Sequence, residues 1–106
     1  DGGGTVGTSW TCPGMSVTIT VPAGSRSIQF TGEFVNTGAA SQSLTYGMRI
    51  GGSETLIGSF SATSTGQTFP ISFSRVVSVA AGSVTFEIVG YAGVNSALLH
   101  GQYIIL

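Results

Sequence analysis

Met15-Ser16-Val17-Thr18-Ile19-Thr20-Val21-Pro22-Ala23-Gly24-Ser25 decides the fold. Its first seven residues alternate apolar and hydroxyl side chains without a fault. Period two puts Met15, Val17, Ile19 and Val21 on one face of an extended strand and Ser16, Thr18 and Thr20 on the other. The strand then stops at a turn, because Pro22 presets φ for a corner and Gly24 tolerates the exit.

The same grammar continues downstream. From Arg26 to Asn36, Ile28, Phe30 and Phe34 share a face, with Gln29, Thr31 and Glu33 opposite. A small-residue loop over Thr37 to Ser41 leads to Leu44, Tyr46, Met48 and Ile50. Gly51-Gly52-Ser53 turns the chain into a strand carried by Leu56, Gly58 and Phe60. After a polar loop from Ala62 to Gln67 come Phe69, Ile71 and Phe73. Arg75 then takes the inward phase and Val76-Val77 break it, which predicts a β-bulge. Ala80-Ala81-Gly82 reads as a hairpin turn into Val84, Phe86 and Ile88, and Val79 to Ser83 resembles Val21 to Ser25. Upstream, Thr5 to Trp10 reads as a weak edge strand. No window shows the apolar spacing of a helix. About eight regularly spaced strands, with no βαβ alternation, predict an all-β, antiparallel β-sandwich of jelly-roll type.

The chain has 106 residues, which supports a single domain over 1–106. Asp1-Gly2-Gly3-Gly4 reads as a flexible lead from a longer protein, so the chain is expected to be a mature chain or an excised domain. Only 7% of residues are charged, against about 25% in ordinary soluble domains. There is no lysine, and the cations are Arg26, Arg49 and Arg75. That set excludes a basic nucleic-acid footprint and a polybasic membrane anchor. A mean hydropathy of +0.43 excludes disorder. No apolar run approaches the roughly 20 residues of a membrane-spanning helix. Cys12 is the one cysteine, so no intrachain disulfide forms.

A hairpin centred on Ala81 would set Arg75 opposite Glu87, and Glu33 and Arg49 are candidates for a similar surface pair. The last strand carries apolar residues on both phases: Leu99, Tyr103 and Ile105 on one side, Leu98, Ile104 and Leu106 on the other. Such a strand needs cover on both faces, and a second subunit is the simplest cover. With so few charges, exposed apolar patches would also limit a monomer's solubility. The expected assembly is a homotrimer with Leu98, His100, Gln102, Ile104 and Leu106 at its interface.

Catalysis finds little to work with. Asp1 is the only aspartate, His100 is the sole imidazole base, and no motif frames a nucleophile. Cys12 with His100 is the one conceivable thiolate pair. A glycosidase carboxylate pair would have to come from Glu33, Glu54 and Glu87, each with a plainer reading as an outward solvated side chain. One histidine and one cysteine make no metal site within a chain. On a three-fold axis His100 would occur three times and could meet a metal or an anion, although a hydrogen-bonded interface histidine is the simpler reading. Gly51-Gly52-Ser53 lacks the lysine of a phosphate-binding loop. The chain is therefore expected to be non-enzymatic, with no cofactor. Trp10 and Tyr91, each flanked by glycine-rich sequence, are the candidate ligand-binding residues, since loop aromatics stack on sugar rings or anchor a protein partner. Both also have a packing role open to them, Trp10 as an end plug and Tyr91 as a strand cap.

Val-Thr-Ile-Thr-Val-Pro-Ala-Gly-Ser-Arg (17–26), Met-Arg-Ile-Gly-Gly-Ser (48–53) and Val-Val-Ser-Val-Ala-Ala-Gly-Ser-Val-Thr-Phe-Glu-Ile (76–88), with the hydrophobic final strand, resemble a family. The pattern is similar to the small β-sandwich head domains at the C-termini of bacteriophage tail fibres and other receptor-binding proteins. Those are similar in plan to trimeric heads of the tumour-necrosis-factor and complement type. The resemblance implies a homotrimer with its last strand near the axis, at a virion tail-fibre tip or otherwise extracellular. It also implies distal loops that contact a host cell-surface glycan or outer-membrane component, and no catalysis. Two alternatives stay open: a trimerisation module with no ligand, and a carbohydrate-binding accessory domain of a secreted enzyme.

Overall fold

The computed structural model describes residues 2–38 and 41–106. These form eight strands: β1 (Gly2–Val6), β2 (Ser16–Val21), β3 (Gly24–Val35), β4 (Gln42–Ile50), β5 (Ser53–Ala62), β6 (Thr68–Val79), β7 (Gly82–Ala92) and β8 (Ala97–Ile105). They build two four-stranded antiparallel sheets, one in the order β1-β8-β3-β6 and the other β2-β7-β4-β5. Only the β4–β5 connection stays within a sheet, and every other one crosses between sheets. This is the jelly-roll order, and the fold class is the one expected from the sequence.

Between the sheets lie Ile28, Phe30, Phe34, Ile71 and Leu99 from the β8 sheet and Leu44, Met48, Phe86, Ile88 and Ala92 from the β7 sheet. Each fully buried side chain of this size contributes about 1.5–3 kcal/mol. The β5–β6 side is closed by rings: Phe60 stacks on Phe69 at 4.6 Å, and Tyr46 lies between Phe60 and Phe73 at 5.6 and 6.1 Å.

At one end, the two similar turns are corners that carry the chain from sheet to sheet. Val21 pairs with Gly82 and Gly24 with Val79, so the corners run side by side. Gly24 and Gly82 hold φ of 146° and 128°, a region open essentially to glycine. The hairpin expected at Ala81 is thus corrected. Arg75 pairs with Ile28 on β3, and Glu87 pairs with Arg49 on β4. Glu33 and Arg49 lie on different sheets. The bulge expected near Arg75 is absent from a β3–β6 register that runs unbroken from Gly24–Val79 to Val35–Thr68. A bulge falls instead in β5, where Ile57 is the extra residue between Leu56, opposite Gly47, and Gly58, opposite Tyr46. It turns Leu56 away from the face of Phe60 and leaves it 58% exposed.

Gly2, Gly3 and Gly4, expected as a flexible lead, pair with Gly101, His100 and Leu99 in β1, and the edge strand expected over Thr5 to Trp10 ends at Val6. Asp1 lies outside the described residues. So do Ala39 and Ala40 of the loop expected over Thr37 to Ser41.

The opposite end is knit by a buried polar cluster. Gln42 Nε2 donates to Asn36 Oδ1 at 2.6 Å and to the Ser96 carbonyl at 3.1 Å, while its Oε1 accepts from the Val94 and Asn95 amides at 3.2 and 2.9 Å. Asn36 Nδ2 donates to the Ser64 carbonyl at 2.9 Å. Three loops, β3–β4, β5–β6 and β7–β8, are thereby fixed to one another.

Candidate functional site

The outer face of the β7 sheet is assembled by register. Tyr91 on β7, Thr45 on β4 and Ser59 on β5 form one row, with Thr45 Oγ1 and Ser59 Oγ 3.3 Å apart. Four residues along, Glu87, Arg49 and Glu54 form a second row. Between them run Val89, Gly47 and Leu56. Gly47 has no side chain, and a Cβ there would collide with the Thr55 carbonyl oxygen beside the bulge. The middle row thus runs from the covered Val89 through the bare backbone of Gly47 to the exposed Leu56, with hydroxyls and an aromatic ring on one side and charges on the other.

The β1–β2 loop completes one border. Thr11 exchanges both backbone hydrogen bonds with Gly90, N to O at 2.9 and 3.0 Å. This sets Trp10 against Tyr91 edge to face, ring centroids 4.8 Å apart and planes at 81°. The two aromatics predicted separately from sequence thus meet, and both are half-buried. Trp10 lies in the loop as expected. Tyr91, expected in a loop, belongs to β7, because the strand runs on through Gly90 to Ala92. In an edge-to-face pair, the ring that gives its edge keeps both faces clear of its partner.

In the charged row, Arg49 Nε and Nη2 donate to the two Glu87 oxygens at 2.8 and 3.0 Å, and Nη1 donates to Glu54 at 3.2 Å. These hydrogen bonds hold the Glu87 carboxyl below its usual range despite partial burial, and the Cys12 thiol also donates to it. Burial pushes the Cys12 thiol up, against a backbone hydrogen bond at Met15, and the Glu87 charge adds to the rise. A raised thiol is a poor nucleophile near neutral pH. A lowered carboxyl tied to arginine is a poor general acid. Cys12 and His100 are not brought together: His100 Nε2 meets Glu33 Oε1 at 2.7 Å on the outer face of the other sheet. Among the described residues no three His, Cys, Asp or Glu side chains cluster as a metal site.

Leu98, His100, Gln102, Ile104 and Leu106 lie on the outward phase of β8 and of the residue that extends it. Ile104 and Leu106 are 54% and 61% exposed, and Val76, on the same face, is 73% exposed. Ser27 pairs with both Val76 and Leu106 and stands between them. The sequence reading missed the Arg49 clasp and the Gln42 cluster, because both depend on strand order rather than on local pattern.

No protein-family model matches the chain, and no curated protein matches it. Among solved structures it is similar to the EclA C-terminal domain, a sugar-binding protein, with a TM-score of 0.57 and 8% sequence identity. The likeness covers 87% of this chain and 65% of that one. This chain therefore spans just under two thirds of its neighbour's length, and at such low identity the likeness is one of fold.

Proposed function

We propose that this chain is a non-enzymatic glycan-binding domain that uses the outer face of the β7 sheet. The carrying observation is the Trp10–Tyr91 edge-to-face pair, half-exposed beside the Thr45–Ser59 hydroxyls and on the same sheet face as the Arg49–Glu87–Glu54 row. A pyranose presents C–H groups that pack on an aromatic face and hydroxyls that suit charged and hydroxyl partners. The fold's likeness to a sugar-binding domain supports the same reading. In its fuller form the domain is the trimeric head of a phage tail fibre or similar receptor-binding protein, and it attaches to a host cell-surface glycan.

A glycan array probed with the wild type, Trp10→Ala and Tyr91→Ala tests this. Binding by the wild type that falls about tenfold or more in Trp10→Ala, a loss of about 1.4 kcal/mol, supports the reading. No binding by the wild type, or equal binding by all three proteins, opposes it.

The exposed Val76, Ile104 and Leu106 favour a second reading, a trimerisation module with no ligand. It predicts a trimer by light scattering with a blank array. A monomer that binds polysaccharide would instead favour an accessory domain of a secreted enzyme.

A further inference from the structure

Charge is scarce in this chain, so its placement is informative. Of the glutamates, Glu54 and Glu87 lie on Arg49, and Glu33 lies on His100. Arg26 and Arg75 are left with no ion pair among the described residues, although they are two of the chain's three arginines. They are also neighbours. In the β3–β6 ladder Arg26 pairs with Val77 and Arg75 with Ile28, so the two are diagonal on one face. Diagonal cross-strand residues have Cα atoms roughly 7–8 Å apart, within the reach of long side chains.

That face is the unexpected one. Both arginines share the phase of Ile28 and Phe30, which points toward the β7 sheet, and not that of Gln29 and Thr31, which points to solvent. Arg75 is exposed there because β6 is an edge strand. Arg26 is half-buried, and its Nε is enclosed without a hydrogen-bond acceptor. Among the described residues there is thus neither a counter-charge for the pair nor an acceptor for an enclosed guanidinium N–H. An oxyanion held between two guanidinium forks would relieve their mutual repulsion and supply acceptors in the planar geometry that arginine favours.

We propose that Arg26 and Arg75 form a binding site for a phosphate- or sulfate-type oxyanion at the β6 edge. The site is distinct from the Trp10–Tyr91 face and independent of the glycan reading. The anion is either free inorganic phosphate or an ester carried on a saccharide.

Thermal unfolding of the full chain in sodium phosphate, against sodium chloride at matched ionic strength, tests the site. A ligand that binds only the folded state stabilises it by RT ln(1 + [L]/Kd), so Tm climbs with the logarithm of ligand concentration above Kd. The expected result is a phosphate-specific, logarithmic rise in the wild type that is lost in Arg75→Gln and reduced in Arg26→Lys, whose ammonium lacks the fork. Arg75→Gln removes a repulsion, so its Tm at low salt should equal or exceed the wild type's, which confirms that it folds. Trp10→Ala should keep the full phosphate effect. Glucose 6-phosphate that raises Tm from a lower concentration than phosphate identifies a saccharide ester as the carrier, while an equal or higher onset identifies the free anion. Equal rises in chloride and phosphate, or a phosphate effect intact in Arg75→Gln or absent in Trp10→Ala, would overturn the proposal.

Discussion

Arg49 and Glu87 are register partners on β4 and β7, joined by parallel hydrogen bonds from Nε to Oε1 at 2.8 Å and from Nη2 to Oε2 at 3.0 Å. Arg49 also reaches Glu54 on β5, so one guanidinium spans three strands of the β7 sheet. The side chains of Arg49 and Glu87 are 25% and 17% exposed, which weakens screening without removing it.

Replacing Glu87 by Gln should cost about 1–2 kcal/mol at neutral pH, after discounting for solvent. Because the folded carboxyl sits below its ordinary range, this stability is present above the unfolded carboxylate pKa, about 4.3, and is lost as pH falls through the folded value. The Tm gap between the wild type and Glu87→Gln should therefore hold from about pH 6 to 8 and close in strong acid. A gap that widens on acidification would contradict the assignment.

The Cys12 thiol behaves with the opposite sign. Its folded pKa is raised, so the unfolded thiol ionises first and stability falls as pH rises above about 8.5. Native protein should react with iodoacetamide more slowly than protein unfolded in urea at the same pH. Glu87→Gln should speed the native reaction, since it removes a carboxylate that opposes the thiolate.

Gln42 uses both Nε2 protons and both Oε1 lone pairs inside the loop end of the sandwich. Gln42→Ala removes the donor to the Asn36 oxygen and leaves the Val94 and Asn95 amides without their shared acceptor, at a cost of about 3 kcal/mol. Denaturant unfolding should show this as a lower midpoint with an unchanged slope. Hydrogen exchange should quicken first at Val94 and Asn95.

The paired corners make a cleaner test of backbone strain. A Cβ at Gly24 or Gly82 would meet no atom within 4 Å, so an alanine there brings no clash, only a forbidden φ. Each substitution should cost about 1–3 kcal/mol. A neutral result at both sites would mean that the corners relax.

Much of the fold was legible because each strand carries its own two-residue period. Ile28, Phe30 and Phe34 face inward as their phase requires, and so do Leu44, Tyr46 and Met48. Partners were not legible. Val79 to Ser83 reads equally well as a hairpin or a corner, because both want a small turn with glycine at the exit, and only the order of all eight strands decides between them. That ambiguity moved Glu87 from Arg75 to Arg49. The β5 bulge was hidden for a related reason: Ile57 continues an apolar run, and nothing local marks it as the residue that resets the phase of Leu56. Trp10 and Tyr91 were visible as candidates by residue type alone. Their contact depends on Thr11 pairing with Gly90, 79 positions along the chain, which no local pattern encodes.

Trp10 is the chain's one tryptophan, and it stands at the proposed binding face. Its fluorescence, titrated with the saccharide that scores highest on the array, is the most direct measurement of the central claim. The account predicts a saturable change in emission with the same half-saturation as binding measured by calorimetry, and a weaker half-saturation in Tyr91→Ala. Calorimetric binding with Trp10 emission unchanged throughout would place the sugar elsewhere and contradict the account.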